Sequence, residues 1–208
     1  MSPGSVAGEV REPRASGILP LMSDTHDVDA AIAATRDWLE KAVIGLNLCP
    51  FAKAVHVKGQ IRYVVSGALD DEALLRDLSA ELEWLRDADP AQTDTTLLIH
   101  PFALNDFLDY NAFLDVADAV IEALDLVGEM QVASFHPDYQ FAGTSPDDIA
   151  NFSNRSPYPT LHLLREASVE RAVAAFPQAA DIFETNLRTL EQLGVAGWRA
   201  LGLPVQAK

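Results

Sequence analysis

Cys49 and His136 are the two side chains of this 208-residue chain with the chemistry for a covalent reaction. Cys49 is the single cysteine. A thiolate is the reactive form, so an imidazole within hydrogen-bonding reach would have to take its proton, with a third group orienting that imidazole. His136 ends the β-rich run Gln131-Val132-Ala133-Ser134-Phe135 and precedes Pro137, which sets it at an edge rather than in mid-core. From Lys41 to Leu69 there is no acidic residue, but there are Lys41, Lys53, His56, Lys58 and Arg62. This stretch places a positive field around Cys49 that suits a small anion. The plainer readings stand beside it: a basic segment that evens out an acidic surface, and a buried, inert thiol.

The residues that could hold such an anion follow His136. Asn154-Arg155-Ser156 offers several donors and a planar guanidinium fork, matched to carboxylate or phosphate. Pro157 and Pro159 restrict the loop, and Tyr139, Phe141 and Tyr158 could wall a pocket. Lys53 and Arg165 are further cations for the same ligand. The competing reading is a turn in which Asn154 caps backbone groups and Arg155 pairs with Asp147 or Asp148. His162 lies in an apolar run. Alternation puts it with Leu164 on one face and Leu161, Leu163 and Arg165 on the other. His162 and Arg165 therefore share a site only if Arg165 lies beyond the strand end. A metal site from Cys49, His136 and His162 is a third option, although no closely spaced ligand pair supports it. No phosphate loop, dinucleotide glycine fingerprint or serine elbow occurs.

Several elements must position these residues. Residues 1–26 lack apolar periodicity and read as a disordered tail, with Met22 an alternative start. Asp27 or Asp29 caps a first helix with Ile32, Leu39, Val43 and Leu46 on one stripe, ending near Asn47. Pro50 keeps Cys49 out of helical geometry, which sets the thiol just past a helix C-terminus. Ile61–Val65 is a β-branched strand. Asp70 caps a helix with Leu74, Leu75, Leu78, Leu82 and Leu85 inward, stopped by Pro90. Thr95–His100 is the second strand. Tyr110, Phe113, Leu114, Ala117, Val120, Ile121 and Leu124 mark a third core helix. Strand three is Gln131–Phe135. Ser145-Pro146-Asp147-Asp148 signals the start of a short helix. Leu161–Arg165 is strand four. Ser168 then caps a helix ended by Pro177, and a last helix finishes at Gly194. The order predicts one α/β domain over residues 27–208, with a four-stranded, largely parallel or mixed sheet. Ligands in such sheets sit off the carboxyl ends of the strands.

Composition narrows the function classes. A formal charge of −16 opposes nucleic acid and anionic membranes at long range. No apolar run approaches the roughly 20 residues of a membrane span, and no signal-peptide pattern opens the chain. One cysteine excludes an internal disulfide framework and fits the reducing cytoplasm. The residues name no cofactor and no oligomeric state.

Three segments carry a resemblance: Trp38 to Val55 with Gly45-Leu46-Asn47-Leu48-Cys49-Pro50-Phe51-Ala52, Ser134 to Phe141, and Asn154 to Glu166. In these the chain resembles a bacterial family catalogued as domain of unknown function 1415, over about Thr35 to Gly194. The resemblance implies a stand-alone bacterial cytosolic protein, and it implies no activity, cofactor or catalytic residue. The resulting expectation is a cytoplasmic protein that binds a small anionic metabolite and acts on it through Cys49 and His136. The alternatives are a non-catalytic binding module for an anionic ligand, and a metal protein.

Overall fold

In the computed structural model, residues 25–176 and 181–203 are described. The N-terminal stretch read as a tail, with Met22, lies outside them except at its last two residues, and so does Pro177. The elements are α1 (Thr25–Trp38), a π-helical turn (Leu39–Ile44), α2 (Ala52–Val57), β1 (Ile61–Val65), α3 (Asp71–Asp87), β2 (Thr95–Ile99), α4 (Phe107–Ala123), β3 (Met130–Phe135), a 3-10 helix (Ile149–Asn154), β4 (Thr160–Arg165), α5 (Glu166–Ala175) and α6 (Ile182–Ala200).

The strands form one sheet in the order β1-β2-β4-β3. β1 and β2 pair in parallel, whereas β4 lies between β2 and β3 and is antiparallel to both. The sheet is therefore mixed, the second form of the expectation. The 24 residues between β3 and β4 explain why: they carry no crossover helix of the length a parallel return requires, so the chain re-enters the sheet from the same end. The carboxyl ends of β1, β2 and β3 thus gather with the amino end of β4.

Alternation along the strands divides the molecule into two layers. Leu98, Leu161, Leu163 and Met130 face α3 and α4, where Leu74, Leu78, Leu82, Tyr110, Phe113 and Ala117 complete the larger core. Ile61, Tyr63 and Phe135 face the other way, against Trp38, Leu39, Ala42 and Val43 of α1 and its π-turn. The buried stripe of the first helix is Ala31, Thr35, Trp38, Leu39, Ala42 and Val43, and past the π-turn, where the register shifts, Leu48 is buried in place of Leu46. Its i+5 bonds run from the Gly45 amide to Glu40 and from Leu48 to Val43. A Cβ on Gly45 would lie 2.3 Å from the Lys41 carbonyl oxygen, so this turn accepts only glycine. Asn47 follows with φ 55°, a left-handed exit that asparagine tolerates.

Asp70 caps α3 as expected, accepting from the Ala73 amide at 2.8 Å. Three boundaries differ. The Ser145 start moves to Asp148, whose carboxylate accepts from Ala150, and the helix is a 3-10 turn. α5 starts at Glu166, so Ser168 lies inside its first turn and donates to Asp94 instead of capping. The last helix runs to Ala200, but Gly194 breaks it with φ 62° and ψ 172°. Only glycine occupies that backbone region readily, so the sequence stop marks a kink rather than an end.

Candidate functional site

The loop after β3 is held by side chains that satisfy its backbone. Fully buried Asn151 accepts from the Phe141 amide and the Thr144 hydroxyl and donates to Ser145 O. Asn154 extends the open edge of β3: its Nδ2 donates to Ser134 O, and its carbonyl accepts from the His136 amide. Ser156 turns inward and donates to Tyr158 O at 2.6 Å. The polar character that marks this loop as a site is thus partly consumed in building it. A 24-residue connection with one short helix needs such internal partners to be ordered at all.

Arg155 is the centre of the arrangement. Its Nε donates to Tyr139 O at 3.2 Å and its Nη2 to Pro146 O at 2.6 Å, while the guanidinium lies 4.5 Å from the Phe152 ring centre. Burial lowers its pKa, opposed by the Asp138 and Asp147 carboxylates nearby. It lines a cavity of about 540 Å³. Ser156 shares this cavity, which α1 closes with Trp38 and the segment after the α6 kink closes with Trp198 and Arg199. Phe152 meets Trp198 edge-on at 5.2 Å. Two of the lining residues carry an unspent donor. The indole Nε1 of Trp38, a residue 2% exposed, has no partner. The exposed side chain of Arg199 makes no hydrogen bond or ion pair among the described residues.

Cys49 and His136 are kept apart. His136 is fully buried in the α4 layer, its ring 5.1 Å from Tyr110 and 5.5 Å from Phe107. Its Nδ1 accepts from the Asp138 amide at 3.0 Å, so its Nε2 carries the proton, donated to Leu104 O at 3.2 Å. Both ring nitrogens are spent on backbone, and burial lowers the pKa. Cys49 packs on the opposite layer, against the Trp38 cluster. α2, unforeseen in the sequence, begins just after it, so the thiol sits between one helix end and another helix start. The amides of Phe51 and Ala52 favour its thiolate, but burial outweighs them and raises the pKa. Among the described residues no hydrogen bond joins Cys49 to His136.

The other expected site residues scatter. Lys53 is exposed on α2. Tyr139 packs between Phe107 and Phe141. Tyr158 offers its carbonyl to Ser156 and Thr160. His162 lies on the α1 face of the sheet, 2.7 Å from Thr95 Oγ1. Because that hydroxyl donates to Leu163 O, His162 Nε2 is the donor of the pair, and burial pushes its pKa down to about 4. It keeps a small accessible surface although protein encloses it closely. Arg165 is at the far end of β4, beside Met130, where its Nη2 binds the Leu85, Ala88 and Thr93 carbonyls at the end of α3. Arg155 and Arg165 therefore do not serve one ligand. Nor do three His, Cys, Asp or Glu side chains converge as a metal requires among the described residues, so the set Cys49, His136 and His162 is not assembled.

Trp38, Phe152, Trp198 and Arg199 are the site residues that the sequence reading missed. Their one local signal is tryptophan itself, a large apolar body with a polar tip that seeks a partner; nothing local shows that residues 38, 155 and 198 meet.

The family model described as Protein of unknown function (DUF1415) matches residues 30–200, and the chain belongs to that family. No curated protein and no solved structure matches it. No described helix is long and apolar enough to cross a membrane.

Proposed function

For this member of the DUF1415 family, we propose a cytoplasmic small-molecule-binding protein that takes a small anion with an apolar body in the cavity between Trp38, Arg155 and Arg199. One observation carries the reading. An unpaired guanidinium lines the cavity beside the apolar surfaces of Phe152 and Trp198, and Trp38 in its wall has a buried indole N–H without a partner. A guanidinium in an aromatic-walled cleft is what binds and orients a small anion with an apolar body. Asp138 and Asp147 balance Arg155, which leaves Arg199 as the charge available to the ligand. The reading favours binding over Cys49–His136 catalysis, because neither nitrogen of His136 is free to serve as base. The single cysteine and the net charge of −16 support a cytoplasmic protein without nucleic acid or membrane as partner.

Titration of the protein with benzoate, phenylphosphonate and succinate, read by tryptophan fluorescence, tests the proposal. At least one probe should bind saturably and lose tenfold or more in affinity in Arg199→Ala, with Cys49→Ser unchanged. Binding abolished by Cys49→Ser alone would return the chemistry to the thiol. Absence of saturable binding to all three probes would count against an anion site here.

A further inference from the structure

A second group of guanidiniums meets at the other end of β4. Arg86, Arg165 and Arg171 line a cavity of about 250 Å³ together with Ser168 and Glu129. In a chain with 31 acidic and 15 basic side chains, three arginines around one small cavity is a local reversal of charge. Each arrives from a different element: Arg86 from the last turn of α3, Arg165 from the end of β4, and Arg171 from α5.

Their environments differ in a way that suits a ligand. Arg165 is fixed, since its Nη2 spans the α3 carbonyls, and its buried Nε has no partner. Arg171 is exposed and donates to Ser168 Oγ at 2.9 Å, so it is held over the cavity by a hydroxyl and not by a carboxylate. Arg86 is exposed and paired with its neighbour Asp87. The N-terminus of α5 opens on the same cavity. No side chain caps it, Ala167 and Ser168 line the space, and amides of a first helical turn have no partner within the helix. The opposing charges are Glu129 in the lining, Asp94 behind Ser168 at 2.6 Å, Glu83, Asp87 and Asp89 around the arginines, and Glu166 in the first turn of α5. Within the lining itself, three guanidiniums face one carboxylate.

We propose that this cluster is a second binding site, for the phosphate group of a small phosphomonoester, with Arg86 and Arg171 as its clasp and the first turn of α5 as its floor. A phosphate offers oxygens on several sides, which matches a guanidinium fork on one side and helix amides on another. The cavity leaves space for a short carbon skeleton beside the phosphate, and none for a nucleotide. This site is independent of the Trp38 cavity and stands or falls separately.

Backbone amide NMR of the full chain, titrated with inorganic phosphate and with glycerol phosphate at constant ionic strength, tests it. The Ala167 and Ser168 amides should shift saturably, with glycerol phosphate the tighter ligand. Arg171→Glu should weaken binding tenfold or more, Arg86→Ala severalfold, and Arg199→Ala not at all. Both cluster variants replace exposed side chains, so the spectrum away from α5 should confirm that the fold is retained. Absence of saturable shifts at these amides, or equal affinity in wild type and Arg171→Glu, would overturn the site. Inorganic phosphate binding as tightly as glycerol phosphate would overturn the monoester assignment.

Discussion

Arg155 lies over Phe152, its guanidinium 4.5 Å from the ring centre, and the same ring meets Trp198 edge-on at 5.2 Å. One aromatic side chain thus joins the polar loop to the segment that follows the α6 kink. The two hydrogen bonds of Arg155 to Tyr139 O and Pro146 O hold the ends of that loop together. Arg155→Ala is therefore expected to cost stability as well as affinity. Charged-donor bonds contribute roughly 1.5–3 kcal/mol each at most, and those of a half-buried arginine fall at the lower end. The bond to Pro146 O is exposed and contributes less, so a loss of about 2 kcal/mol in urea unfolding is the expected outcome. Arg155→Lys, which keeps the charge but loses the fork, should recover less than half of it.

His100 and His162 contribute most to the pH dependence of stability among the described histidines, with His136 acting in the same direction. Burial pushes the pKa of His100 and that of His162 from 6.5 down to about 4. Both are neutral in the folded protein where the unfolded chain takes up protons. Stability is thus fully present above about pH 6.5 and falls as the pH drops toward 4. Each histidine removes on the order of 3 kcal/mol over that window, at 1.36 kcal/mol per unit. Urea midpoints at pH 7, 6 and 5 should fall in the wild type and fall less steeply in His162→Gln. Equal slopes in the two proteins would show that His162 titrates as in the unfolded chain.

Cys49 should alkylate as a hindered, weakly acidic thiol. Its pKa is raised by burial, and its nearest helix start is too weak to reverse that. The rate of iodoacetamide labelling at pH 7 should be well below that of a free thiol. The pH profile should be the same in His136→Ala, since the imidazole is engaged with Leu104 and Asp138. A profile moved to higher pH by that substitution would restore the coupled pair.

How far the sequence reaches is visible residue by residue. The strand runs, the Asp70 cap and the leucine stripe of α3 are local patterns, and the structure repeats them because propensity and burial agree there. Gly194 was legible as a break because its required backbone geometry is a property of one residue. The alternation along β4 separated His162 from Arg165 correctly. The polar loop was legible as an organised feature, but its side chains could not be divided into those that build the loop and those that face a ligand. Asn151 and Asn154 carry the same donor chemistry in either role.

What the amino-acid order determined, then, is the strands and the long helices, the two faces of each, and the charged and aromatic residues on offer. Tertiary structure alone decided which of them meet. β4 enters between β2 and β3 in reverse, so Arg165 is carried to the far end of the sheet, roughly 17 Å along the strand from Thr160. Cys49 and His136 fall on opposite layers because Phe135 faces α1 while His136, the next residue, turns toward α4. Trp38, Arg155 and Trp198 converge from three distant segments. Periodicity is set within a few residues, whereas strand order and layer packing are set by how the whole chain buries its apolar faces.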